Sequence, residues 1–159
     1  MPKTLSVYGG SALRLLATLG PIGHLRPAPG TWGSVFGIIS GWIIASYSSG
    51  LLGLAVFLVT IIGVFAADSY SKHTGRKDAP EIIIDEVAGQ WIPLIILPLD
   101  LWWYAAAFVL FRFFDITKLG PVGMAENLPG GVGVMADDII AGILAALCLW
   151  GGAFFITMQ

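Results

Sequence analysis

Asp85 and Glu86 stand side by side at the head of the apolar run IIIDEVAG, and Asp137 and Asp138 do the same after GGVGVMA. An ionised group placed beside hydrocarbon costs a few kcal/mol, so such groups face water or a site. The helix dipole explains one acid at a helix start; two in a row between Ile84 and Val87 ask for more. Successive helical positions differ by about 100°, so one carboxylate of each pair can face a bundle interior. Oxygen-only clusters of this kind suit Mg²⁺, which takes a few carboxylates and keeps several waters. Zinc is disfavoured, because one cysteine and two isolated histidines, His24 and His73, cannot build a usual site.

Cations lie within the same pattern. In FRFFDITK, Arg112, Asp115 and Lys118 are three apart and share one helical face. A self-neutralising stripe would explain them at a helix end, but Arg112 precedes Phe113 and Phe114 and so sits inside the apolar span. Arginine suits bidentate contact with phosphate oxygens, and lysine supplies a point charge. In PAPGTWGS, Gly30, Thr31, Gly33 and Ser34 open another apolar run, where backbone N–H groups make an anion site. PGGVGVM lacks the lysine of a nucleotide loop and reads as a flexible connector. Acids that can hold a metal, beside cations that can hold a phosphate, point to an enzyme site at a membrane surface.

The elements that position these residues are membrane helices. The chain is 57% hydrophobic and 11% charged, with a mean hydropathy of +0.85, whereas soluble domains are about 25% charged. One domain, residues 1–159, is expected, and a net charge of -2 without a basic stripe argues against nucleic acid. The single Cys148 cannot form an internal disulfide and is expected to pack in its apolar run.

Seventeen of the eighteen charged residues fall in 1–31, 68–86 and 112–138, and only Asp100 lies outside. Residues 1–31 read as an amphipathic surface helix, with Leu13, Leu16 and Ala17 on one side, and a Pro/Gly loop. Apolar runs follow at Trp32–Tyr47, Leu51–Ala67, Ile82–Leu97, Leu101–Phe114 and Ile139–Ile156, with 119–133 as a loop. The first two are roughly 25 Å as helix and reach across a thin bilayer. The predicted architecture is an all-α integral membrane bundle of about five helices. All three charged stretches lie on one face, which the positive-inside rule assigns to the cytoplasm.

Taken in order, PAPGTWGS, IIIDEVAGQW, FRFFDITK and GGVGVMADDIIAG resemble the phosphatidylglycerophosphatase A family over roughly residues 20–145. The resemblance implies a Mg²⁺-dependent hydrolase of the bacterial inner membrane that converts phosphatidylglycerophosphate to phosphatidylglycerol and phosphate. By motif it places Asp85, Glu86, Asp137 and Asp138 as metal-holding and catalytic acids. It adds Asp115 to the catalytic acids, with Arg112 and Lys118 on the substrate phosphate. It also adds Asp78, while Asp68 falls on no family motif. Leu119 stands where the family commonly has proline, so the preceding helix is expected to run slightly further. Water is favoured over an aspartate as nucleophile, since no aspartate sits in a DxD pair, though no motif decides between them. The alternative is a small transporter or channel, but its acids belong mid-span.

Overall fold

The computed structural model describes residues 3–157, with side chains from residue 10 to residue 153. The described residues contain helices and turns and no strand: α1 (Lys3–Ala17), α2 (Pro29–Tyr47), α3 (Ser49–Thr74), α4 (Ile84–Leu94), α5 (Leu101–Thr117), α6 (Pro121–Glu126) and α7 (Gly130–Thr157). The all-helical expectation holds. Two helices, α3 and α7, are long and apolar enough to cross a membrane by length and composition.

Several boundaries differ from the sequence reading, each for a local reason. Pro29 occupies the first turn of α2, where its missing N–H is not needed, so the helix starts before Trp32. Ser48 ends α2 and begins α3, its hydroxyl accepting from the Gly50 N–H at 3.1 Å. α3 continues past Ala67 to Gly75, whose φ of +72° closes it. α4 is shorter than the predicted run Ile82–Leu97. Its eleven residues cover about 16 Å, roughly half the hydrocarbon thickness. The predicted loop 119–133 holds α6 and the first turn of α7, so the expected connector PGGVGVM is largely helical. Leu119 does not prolong α5 either. The helix stops at Thr117, and Lys118 takes a left-handed conformation at φ 51.

α4 is the hub, packed by α7, α2, α3 and α5, and nine of its eleven residues are buried. The outer faces of α3, α5 and α7 are apolar: Phe57 and Phe65 on α3, Val109 on α5, and Leu147 and Trp150 on α7 are all exposed. Buried polar groups include Asp85, Gln90, Asp115, Asp137 and Asp138. Cys148 lies exposed on α7, against the packing role expected of it. α1 packs on α3 and contributes Leu13 and Ala17 to a core with Ala66 and Ala67, whereas Leu16 faces outward.

Candidate functional site

The charged ends of four elements meet because glycines let the helices approach closely. A methyl group on Gly89 of α4 would lie 2.5 Å from the carbonyl oxygen of Asp138, and one on Gly142 of α7 would collide with the Gly89 carbonyl. This crossing sets the first turn of α4, with Asp85 and Glu86, beside Asp138. The chain before α4 is tied down by the Ile83 N–H, which donates to the Ala17 carbonyl at 2.9 Å. Carboxylate oxygens of Asp85, Glu86 and Asp138 lie within 4.8 Å of one another. Asp85 accepts from the Glu86 N–H and Asp137 from the Asp138 N–H, both at 3.0 Å. Glu86 Oε2 is buried without a hydrogen-bond partner.

Glu86 reaches toward the N-terminus of α2, where a side chain on Gly30 would collide with its Oε1 and crowd Arg112. Arg112 forms an ion pair with Asp115, and its Nε is buried and unpartnered. Lys118, at the left-handed end of α5, joins Asp115 at 3.3 Å and also pairs with Asp137. Burial disfavours its charge, but the Asp137 bond and the charges of Asp137, Asp138 and Asp115 outweigh burial and raise its pKa. Lys118 is therefore a fixed cation.

These groups line one cleft of about 340 Å³, formed by Asp85, Glu86, Asp137 and Asp138, by Arg112, Asp115 and Lys118, and by Asp78 and Gly30. Loss of water around the Asp78 carboxyl raises its pKa; Lys118 opposes this shift, and Glu126 and Asp115 reinforce it. Of the four residues expected at the start of α2, Gly30 lines the cleft and the others do not. Thr31 follows an Ala28 cap that uses no side chain. Gly33 lets α2 approach Ile83, and the buried Ser34 hydroxyl donates to the Gly30 carbonyl at 3.0 Å. Asp137 lies outside the three-carboxylate group, engaged with Lys118.

Asp68 pairs with Lys72 at 2.5 Å, and His24 and His73 line a separate cleft with Arg14. Two polar residues escaped the sequence reading. Glu81 is buried and holds Arg76 at 3.0 Å and Arg26 at 3.6 Å; its place in the same polar stretch as Asp85 was the available signal. Gln90, one turn beyond Glu86, is fully buried with both amide atoms unpaired, and it already stood inside the motif IIIDEVAGQW.

The arrangement joins an oxygen-rich pocket to an anion pocket. Three converging carboxylates, one with an orphaned buried oxygen, fit a hard divalent cation better than they fit one another. Arg112 and the α2 N-terminus fit phosphate oxygens.

Comparison with known proteins finds relatives named as phosphatases. No solved structure matches the chain. Phosphatidylglycerophosphatase A of Haemophilus influenzae is 39% identical over 145 residues, covering 87% of this chain and 86% of that protein. Phosphatidylglycerophosphatase A of Escherichia coli is 39% identical over 124 residues, 77% of this chain and 72% of that protein. A putative phosphatidylinositol-3-phosphatase of Bacteroides thetaiotaomicron is 41% identical over 136 residues, 77% of this chain and 84% of that one. The family model described as phosphatidylglycerophosphatase A matches residues 15–153, and the chain belongs to that family.

Proposed function

We propose that the chain removes the terminal phosphate of phosphatidylglycerophosphate at a membrane surface, releasing phosphatidylglycerol and phosphate. The observation that carries this reading is the single cleft in which Asp85, Glu86 and Asp138 face Arg112 and Lys118. The family and the names of two relatives supply the headgroup. Apolar outer faces on α3, α5 and α7 support a bilayer setting. The charged stretches on one side, rich in Lys and Arg, support a cytoplasmic orientation in a bacterial inner membrane. A transporter would set its acids mid-span, and here they share one end of the bundle.

Asp85, Glu86 and Asp138 would hold Mg²⁺, which when bound supplies charge neutralisation and Lewis-acid polarisation of the phosphoryl group. Phosphoryl transfer has a loose transition state, so positioning and electrostatics do most of the catalysis. Arg112 binds two phosphate oxygens, oriented by its pair with Asp115. The N-terminus of α2 at Gly30 adds backbone dipoles. Lys118, kept protonated by Asp137 and Asp115, neutralises developing charge rather than donating a proton. Water forms the new P–O bond as the bond to the glycerol oxygen breaks, and the proton that the water gives up balances the one that the leaving glycerol oxygen takes.

Phosphate release by the purified protein in detergent micelles tests the reading. The substrates are phosphatidylglycerophosphate, phosphatidic acid, phosphatidylinositol 3-phosphate and glycerol 3-phosphate, each with Mg²⁺ or with EDTA. The expected result is Mg²⁺-dependent release that is fastest from phosphatidylglycerophosphate. Release from none of the four, with flux in reconstituted vesicles, would return the transporter reading. Full activity in EDTA would remove the metal.

A further inference from the structure

α2 and α5 both pack on α4 but touch each other only lightly, and an apolar groove of about 340 Å³ opens between them. Its walls are Val35, Ile39 and Trp42 from α2 and Tyr104, Ala105 and Phe108 from α5. Ile39 and Ala105 are exposed, while Tyr104 forms a buried floor in edge contact with Trp42. The groove lies between the same two helices whose ends, at Gly30 and Arg112, line the cleft that holds the carboxylates. Val109 on its wall is three residues, less than one turn, from Arg112.

Its length is informative. From Arg112 to Leu101 is eleven residues (112 − 101), or about 16 Å of helix, close to one leaflet of a hydrocarbon core about 30 Å thick. A groove that begins at Val109, less than one turn from Arg112, and ends at Leu101, about one leaflet deeper than that cation, fits a lipid tail whose headgroup sits in the cleft. A second apolar groove of similar volume, lined by Ile92, Ile96, Ala146, Leu147 and Trp150, lies on α4 and α7 and contains no residue next to a charged group of the site.

We propose that one acyl chain of the phospholipid substrate lies in the α2–α5 groove and holds the phosphate in register with the cleft, an assignment that rests on the lipid-phosphatase reading above. The groove is then a substrate subsite, and filling it selects against long chains. In detergent micelles, Ala105→Trp and, from the opposite wall, Ile39→Trp are compared with wild type on dioleoyl and dihexanoyl phosphatidylglycerophosphate. Both positions are exposed, so the folded state accommodates the added ring. The expected result is a KM for the long-chain lipid raised roughly tenfold, the loss of a few methylene contacts, with the short-chain lipid turned over as before. Ala146→Trp, in the other groove, is expected to change neither. Equal loss on both lipids in both variants, or no loss on either, would overturn the subsite.

A phosphatidylglycerophosphate analogue with a photoreactive group midway along one chain tests the groove without turnover. Labelling concentrated on peptides containing Ile39 or Ala105 supports it, and equal labelling around Ala146 defeats it. Wild-type protein that labels there yet releases no phosphate would sink the phosphatase reading and keep the lipid subsite.

Discussion

The α4–α7 seam and the α2–α5 seam share a bundle and a charged end but are built in opposite ways. At the first, Gly89 and Gly142 bring two backbones together until no side chain fits between them, and the result is a group of carboxylates fixed within 4.8 Å. At the second, large residues such as Trp42, Tyr104 and Phe108 stand around an unfilled space. Small residues place reacting groups, while large residues that do not close leave room for something that is not protein. The same helix ends thus serve two purposes, positioning on one side and admission on the other.

The tight seam is tested hardest through what it positions. Asp138→Asn keeps the shape of the side chain and removes one charge of the carboxylate group. Turnover is expected to fall about a thousandfold, as when a preorganised electrostatic contact is lost, with Mg²⁺ affinity falling in parallel. Turnover assayed across a Mg²⁺ series decides this, and a wild-type rate at low Mg²⁺ would detach Asp138 from the metal.

The contrast between the seams comes next. Gly89→Ala places a methyl 2.5 Å from the Asp138 carbonyl and 2.6 Å from the Phe111 ring, and overpacking of this sort costs about 1–3 kcal/mol. Ala105→Leu, in the loose seam, is expected to stay within about 0.5 kcal/mol of wild type. Unfolding in detergent monitored by circular dichroism compares them, and equal losses would erase the distinction drawn here.

A smaller effect is expected at the far end. Asp100 caps α5 by accepting from the Trp102 and Trp103 N–H groups at 2.9 and 3.2 Å. Asp100→Ala is expected to cost about 1 kcal/mol and to leave turnover unchanged, since the cap stands at the opposite end of α5 from Arg112. A large change in KM would show that the loose seam depends on that cap.

The smallest effect concerns Asp78 at the rim of the cleft, whose pKa is raised in the folded protein. The native state then binds its proton more tightly than the unfolded chain does. Stability must fall as pH rises from the ordinary carboxylate range through the native pKa. Asp78→Asn removes that contribution, so in EDTA the variant is expected to lose less stability than wild type over this interval. Identical pH profiles would show that the carboxyl is not perturbed.

The cleft was largely legible in the sequence because a carboxylate in an apolar chain is costly enough to need a reason. Asp85, Glu86, Asp115, Asp137 and Asp138, with Arg112 and Lys118, stood out on that ground alone and lie together in the fold. Glycines were harder, since the same residue serves a loop, an anion nest or a tight helix contact. Gly131 looks like a connector in PGGVGVM but lies in the first turn of α7, where any side chain would collide with the Val64 carbonyl of α3. Gly33 looks like part of a phosphate loop and packs against Ile83. Only tertiary contact separates these cases. The α2–α5 groove was invisible for a related reason: a space between helices leaves no residue type as its mark.

The placement of the carboxylates also bears on how the protein is made. Asp85 and Glu86 precede Asp138 by about fifty residues (138 − 85 = 53 for the first), several seconds of translation at roughly 5–20 residues per second. In that interval α2, α4 and α5 can gather with the Gly30 backbone and Arg112 in place, while Lys118 has Asp115 and lacks Asp137. The third carboxylate and the Gly142 contact arrive with α7, which is synthesised after α2, α4 and α5. A chain interrupted before that point has Asp85, Glu86 and Arg112 but lacks the third carboxylate, so the acid group is complete only once α7 has been made.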